Sequence, residues 1–276
     1  MSLYLYPNWG QVHRAGLIAQ ADFMKSHDVL VFSEAWDKSP RDTLVNGLKS
    51  EYPYWTEAVG HTKSNWDSTT GSYNYLTPLN GGVVIMSKWP ILEKHQYIYT
   101  VGCGADWFAL KGFAYVKINY KGKNLHIFGT HLQSDDKGCR WGQAASMRMI
   151  QLQEMRSYID GKNIPKNELV LMSGDFNIVR DTAEFDNSVL GNALQAHRPT
   201  AYTGHSSTWD PTANAIANYY YPSDAPQYID FTLVDKNHAQ AQSNVQDALK
   251  IKSPSYVLKG ETWDEYSGKQ KLSMGR

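Results

Sequence analysis

The sequence predicts a layered α/β fold, a sandwich of sheets and helices. Three observations predict it. Apolar runs of strand length recur and end in polar or acidic residues. A hairpin pattern spans 112–133, and a strongly amphipathic helix pattern follows over 144–160. The order of patterns is not a simple βαβ alternation, so packed layers are expected rather than a doubly wound sheet.

Taken in order, "RAGLIAQADFMKS" (14–26) has apolar residues at helical spacing. "DVLVFSE" (28–34) reads as a strand ending in an acid, and "GGVVIMSKWPI" (81–91) as a strand opened by Gly-Gly and closed by Pro90. "GFAYVKINYKGKNLHIFGTHLQ" (112–133) reads as the hairpin, turning at Lys121-Gly122-Lys123. "AASMRMIQLQEMRSYID" (144–160) is the helix. "ELVLMSGDFNI" (168–178) begins with the continuous apolar character of a strand buried on both faces, and "YIDFTLVD" (228–235) is a late strand. No internal repeat or linker divides the chain, so 1–276 is expected to be a single domain.

Composition narrows the classes. Lys+Arg and Asp+Glu are equal at 27 each, which argues against a partner held by counterion release, such as nucleic acid. With 18 Tyr and 9 Trp, the chain suits a secreted enzyme acting on lipid or sugar. No run approaches the ~20 apolar residues of a membrane span. The start "MSLYLYPNWGQ" lacks the basic and apolar regions of a signal peptide. Cys103 and Cys139 both adjoin glycine in loop-like sequence. They read equally well as two free thiols or as one disulfide, whose loop of about 37 residues would be worth roughly 3–4 kcal/mol.

Three strands end in groups with chemical potential: Glu34, His131, and the pair Asp175 and Asn177. Each alone has an ordinary reading: a surface acid, a structural histidine, an Asx-turn. Together they suggest a site. In a strand, residues two apart share a face, so Asp175 and Asn177 are expected to aim at one point with Phe176 turned away. Hard oxygen ligands from Glu, Asp and Asn suit Mg²⁺, and a neighbouring histidine suits phosphoryl chemistry.

At these residues the chain resembles the secreted bacterial neutral sphingomyelinases, of the sphingomyelinase C and beta-toxin type, within the endonuclease/exonuclease/phosphatase superfamily. The resemblance runs in order over residues 4–267, through "LYPNWGQ", "SEAWD", "EYPYWT", "GGVVIMSKWPI", "GCG", "KGF", "GTHLQ", "KNIP", "SGDFN", "YTGHSSTWDP" and "YPSDAPQYIDF". It implies a four-layer α/β sandwich, two mixed sheets face to face with helices outside. It implies Mg²⁺ or another divalent cation, and hydrolysis of sphingomyelin to ceramide and phosphocholine. By the same resemblance Glu34 is the central metal-binding glutamate. Asp175 and Asn177 lie near metal and phosphate, His131 is the phosphate-side histidine, and Asp230 is a supporting acid. Cys103 and Cys139 match the family's disulfide. The implied partner is a sphingomyelin-containing membrane surface, the implied location secreted, and the expected state monomeric.

The chain also departs from that pattern. The family carries a "His-Asn" strand before the stretch matching "LYPNWGQ", and its Asp-His pair follows the stretch matching "WDEYS" (263–267), where "GKQKLSMGR" stands here. The expectation is therefore that the first and last core strands are missing, that the chain diverges after 267, and that hydrolysis is impaired. His205 and His238 are the histidines available as replacements. Leu79-Asn80 and Lys38 stand at positions of a second, edge metal site, which they should weaken. The membrane hairpin of some relatives has no counterpart in 255–267, where Tyr256, Val257, Leu258 and Trp263 are the apolar residues. A non-catalytic membrane- or host-binding protein on this scaffold, or a nuclease of the same superfamily, are the alternatives.

Overall fold

A computed structural model describes residues 10–251, and the backbone of 256–257 and 273–274. The elements are α1 (Gln11–Gln20), α2 (Asp22–Lys25), β1 (Val29–Phe32), α3 (Lys38–Leu48), β2 (Tyr54–Trp55), β3 (Ser68–Gly71), β4 (Leu79–Asn80), β5 (Val84–Ser87) and β6 (Ile91–Ile98). A 3₁₀ turn at Gly104–Phe108 leads into β7 (Ala109–Leu110), β8 (Gly112–Tyr120), β9 (Lys123–His131), α4 (Gln143–Gly161) and β10 (Leu169–Asp175). A π-helical turn (Phe185–Leu190), β11 (Ala201–Gly204), α5 (Ala215–Tyr220), β12 (Asp230–Val234) and β13 (Val245–Ala248) follow, then β14 (Tyr256–Val257) pairing with β15 (Ser273–Met274).

Two sheets dominate, one ordered β1-β5-β2 and one ordered β12-β10-β9-β8-β6-β3. Their side chains alternate between two kinds of neighbour, as the pleat requires. In β5, Val84 and Met86 pack with Ala15, Ala19, Leu44 and Leu48 of α1 and α3. Ile85 turns the other way and joins Ala114, Val116, Ile118 and Ile127 between the sheets. On the far face of the larger sheet, Phe113, Tyr115, Phe128, Val170 and Met172 pack against Leu152, Met155 and Ile159 of α4. The layers are therefore helix, sheet, sheet, helix, the four-layer sandwich that the resemblance implied. The first four residues of β10 are apolar because Val170 and Met172 face α4 while Leu171 faces the other sheet.

The strand expected over 81–91 proves to be two. β5 closes at Ser87, and after Pro90 the chain enters β6 in the other sheet. Proline lacks the N–H a ladder needs, and here it marks the crossing between layers. The helix expected over 14–26 breaks at Ala21, which is extended (ψ 131). The expectation of missing first and last core strands, and the apolar residues named in 255–267, lie outside the described side chains. Among the described residues, no helix is long and apolar enough to cross a membrane.

Candidate active site

The site is built at the ends of three adjacent strands. β9 and β10 run parallel and put Asp175 opposite His131, while β10 and β12 run antiparallel and put Asp175 opposite Asp230. One level of the large sheet thus carries an acid, a histidine and a second acid. Gly174 permits this closeness: its φ is +137°, and a Cβ there would lie 1.9 Å from the Thr130 carbonyl oxygen.

Glu34 arrives from the other sheet, two residues beyond β1. Ser33 locks it in place. The Ser33 carbonyl accepts from His131 Nδ1 (3.0 Å), and its hydroxyl accepts from the Asp175 amide (3.2 Å). Gly82 lies beneath with φ +73°; a Cβ there would stand 2.9 Å from the Ser33 oxygen and 3.2 Å from the Trp36 ring. The Gly-Gly read as a strand opener is thus the floor under the Glu34 loop. The Trp36 ring in turn meets the His131 ring edge-on at 5.8 Å.

Asn177 reaches the site by another route than expected. The strand ends at Asp175, and Asn177 adopts a left-handed φ of 50°. Its amide donates to Asp175 Oδ1 (2.8 Å), an Asx-turn, and its side chain donates to the Leu132 carbonyl (3.0 Å). Strand alternation therefore does not aim this pair; the turn does. Phe176 is turned away, as expected, and fully buried.

His131 is 3% exposed. With Nδ1 donating to Ser33, its Nε2 accepts from Lys111 Nζ (3.2 Å) and stands 3.6 Å from Asp175 Oδ2. Burial, then the Lys111 charge, push its pKa down to about 3, so the ring is neutral at pH 7. Lys111 also donates to Asp106 (2.7 Å) and to the Leu132 carbonyl (2.9 Å). Its role was not visible in sequence; its one signal was a cation directly before the apolar strand β8.

The carboxylates are not balanced. Burial, then the charge of Asp230, raise Asp175 well above the ordinary range. Burial raises Asp230 to about 6; the Thr208 hydroxyl works against this and Glu34 adds to it. Three acids thus meet at one rim, where Lys111 is paired with Asp106. Carboxylates gathered in this way are oxygen donors that a divalent cation can bridge. Among the described residues no group of three or more His, Cys, Asp or Glu is placed to hold a metal ion by itself. Mg²⁺ keeps several waters and takes one or two carboxylates plus substrate oxygens.

Beside this centre, the Trp36 carbonyl is covered by donors. Asn80 Nδ2 (2.6 Å) and Arg41 Nη1 (2.9 Å) both bind it, and Lys38 pairs with Asp42 (2.5 Å). Of the two spare histidines, His238 pairs with Asp235 at the opposite end of β12 (2.5 Å), and His205 pairs with Asp210 (2.9 Å). Cys103 and Cys139 form the disulfide, Cα to Cα 5.3 Å.

Two packed sheets with an acid-rich rim at their shared end define a class, and the endonuclease/exonuclease/phosphatase family model matches residues 14–255. The chain belongs to that family and, within it, to the bacterial sphingomyelinase C group. A sphingomyelinase C of Bacillus cereus is 43% identical, covering 97% of this chain and 83% of its own length. A phospholipase C of Staphylococcus aureus is 41% identical, covering 97% and 78%. Among solved structures, a beta toxin mutant from Staphylococcus aureus with bound magnesium ions superposes with a TM-score of 0.94 at 39% identity, covering 100% of this chain and 91% of that one. Sphingomyelinase C from Streptomyces griseocarneus gives 0.93 at 37%, again covering 100% and 91%.

Proposed function

We propose that this chain is a Mg²⁺-dependent phosphodiesterase that hydrolyses sphingomyelin to ceramide and phosphocholine. The observation that carries this reading is the convergence of Glu34, Asp175 and Asp230 on one rim, set on a scaffold whose relatives are named sphingomyelinase C. Glu34, Asp175 and Asn177 are the residues that would hold the cation. When bound, it supplies neutralisation of phosphate charge and of the alkoxide leaving as ceramide.

The chain's own groups do the rest. Asp230 keeps negative charge beside Asp175. Neutral His131 fixes the Glu34 loop through Ser33. Its Nε2 accepts from Lys111 and stands 3.6 Å from Asp175 Oδ2, so the ring also positions the Asp175 carboxylate. Lys111 keeps positive charge behind the ring. We infer a secreted monomer with no nucleic-acid partner; the Cys103–Cys139 bond suits an oxidising compartment.

The test is release of phosphocholine from sphingomyelin vesicles with Mg²⁺ or EDTA, with plasmid DNA as a parallel substrate. Mg²⁺-dependent release supports the reading. DNA cleavage in place of release, or vesicle binding with none, would sink it. The same assay reads the expectation of impaired turnover, which concerns residues outside the described part of the structure.

A further inference from the structure

A groove of about 400 Å³ runs along the flank of the sandwich, between β2 and the start of β6. β2 is an outer strand of the smaller sheet. Tyr54, Trp55 and Leu92 line the groove and stay 39%, 38% and 51% exposed. The groove begins away from the catalytic rim: β5 opens at Val84 opposite Phe32 of β1 and closes at Ser87 opposite Tyr54.

One side of β2 is an open edge. The strand pairs with β5 alone. The Thr56 amide donates to the Ile85 carbonyl (2.9 Å), so the hydrogen-bonded pairs of this antiparallel ladder are Thr56 with Ile85 and Tyr54 with Ser87. Trp55 lies between them and turns its N–H and C=O away from β5. Among the described residues neither group has a hydrogen-bond partner. An open edge of this kind is a template for one more strand.

The groove is also acidic. Glu57, Asp67 and Glu93 line it beside one base, Lys94. Glu93 is held by Lys162 (2.6 Å). Glu57 accepts from the Asn65 side chain through Oε1 (3.1 Å), and Asp67 from the Lys94 amide through Oδ2 (2.8 Å). Each spends one carboxylate oxygen on its own loop and has a second to offer.

We propose that this groove binds an extended, basic peptide segment of a partner protein, added to β2 as a further strand. The segment's backbone satisfies the N–H and C=O of Trp55. Glu57 follows Trp55 at strand spacing, so the two meet segment residues that are also two apart. Lys or Arg opposite Glu57 and an aliphatic residue opposite Trp55 are the favoured pairs. A small quaternary ammonium ion would suit the rings and the acids but leave the Trp55 backbone unused. The proposal is independent of the hydrolysis proposed above.

The test is fluorescence anisotropy with a labelled Lys-Val-Lys-Val-Lys-Val-Lys amide at about 0.15 M salt, where long-range attraction is screened. Its comparators are the peptide with Glu in place of Lys, and the basic peptide N-methylated at every second residue, which keeps the charge and loses the N–H groups of one edge. The acidic peptide is expected not to bind, and the N-methylated one at least about tenfold more weakly. Glu57→Gln with Asp67→Asn should weaken the basic peptide about fivefold, and a control that removes two acids elsewhere, Asp22→Asn with Asp186→Asn, should stay within about twofold of the parent. Thermal melting checks that each variant is folded, and the N-methylated peptide tests the parent with no variant at all. A basic peptide that does not bind, an N-methylated peptide that binds equally well, or an equal loss in the control overturns the proposal. So does choline chloride bound in the peptide's stead, which would make the groove a quaternary-ammonium site.

Discussion

The two ends of the large sheet carry similar residues and do opposite things. At one end, His126 meets the Tyr115 hydroxyl (2.9 Å) and Glu168 (2.6 Å), and buried Asp235 is bound by Arg156 and His238. Lys162 reaches Glu93 beside them (2.6 Å). At the other end, some five residues along the same strands, His131, Asp175 and Asp230 stand with Glu34, and burial raises the pKa of Asp175 and of Asp230. Buried ionisable groups alone do not mark a function, because structural ion pairs use the same side chains. The difference is in what the acids face: Asp235 and Glu168 face a guanidinium or an imidazole, whereas Asp175 and Asp230 face one another across the ladder.

Substitutions at the two ends should therefore separate. Glu34→Gln or Asp175→Asn is expected to lower phosphocholine release on the order of 10³-fold, and Asp175→Asn to leave the melting temperature level or higher, since it relieves repulsion with Asp230. Steady-state rates with melting curves check both halves. Arg156→Met should do the reverse. It leaves Asp235 buried without its guanidinium, at a cost of about 3–5 kcal/mol in chemical denaturation, with turnover per folded molecule retained. If Arg156→Met abolished turnover in folded protein, the contrast would be lost.

Gly82→Ala sharpens the same comparison within the site. A side chain at φ +73° under the Ser33 oxygen must push the Glu34 loop outward. Stability is expected to fall by about 1–3 kcal/mol, and the Mg²⁺ concentration for half-maximal rate to rise. An unchanged Mg²⁺ requirement would show that the loop's position does not matter.

The smallest expected effect is a pH slope at the His126 end. Burial lowers the pKa of His126 from its usual 6.5, against the pull of Glu168. A group depressed on folding stabilises the fold above its unfolded pKa, and that contribution drains away as pH falls below about 6.5. His126→Gln should accordingly melt with a shallower loss between pH 7.5 and 5.5 than the parent. Parallel slopes would mean that His126 does not titrate with folding.

Much of this was legible in the sequence, for identifiable reasons. The hairpin, α4 and β10 announce themselves because each buries a regular face: α4 turns Ala144, Leu152, Met155 and Ile159 inward at helical spacing. α3 was missed because Pro40 and Gly47 mask its pattern, and β6 because "ILEKHQYI" mixes polar residues into a strand whose sides are only partly covered. The site acids were legible because a carboxylate at the end of an apolar run needs a reason. Lys111 was not, because a lysine before a strand looks like surface until the fold buries it at 4% exposure. The geometry of Asn177 was misread because sequence spacing cannot show a left-handed turn.

The claim beneath all of this is that Glu34, Asp175 and Asp230 form one cluster that a cation bridges. Titration of the melting temperature with Mg²⁺ tests it without any substrate. The parent and Arg156→Met should both gain stability as Mg²⁺ rises, and Glu34→Gln should lose that gain. An equal Mg²⁺-dependent gain in Glu34→Gln, or none in the parent, would contradict it.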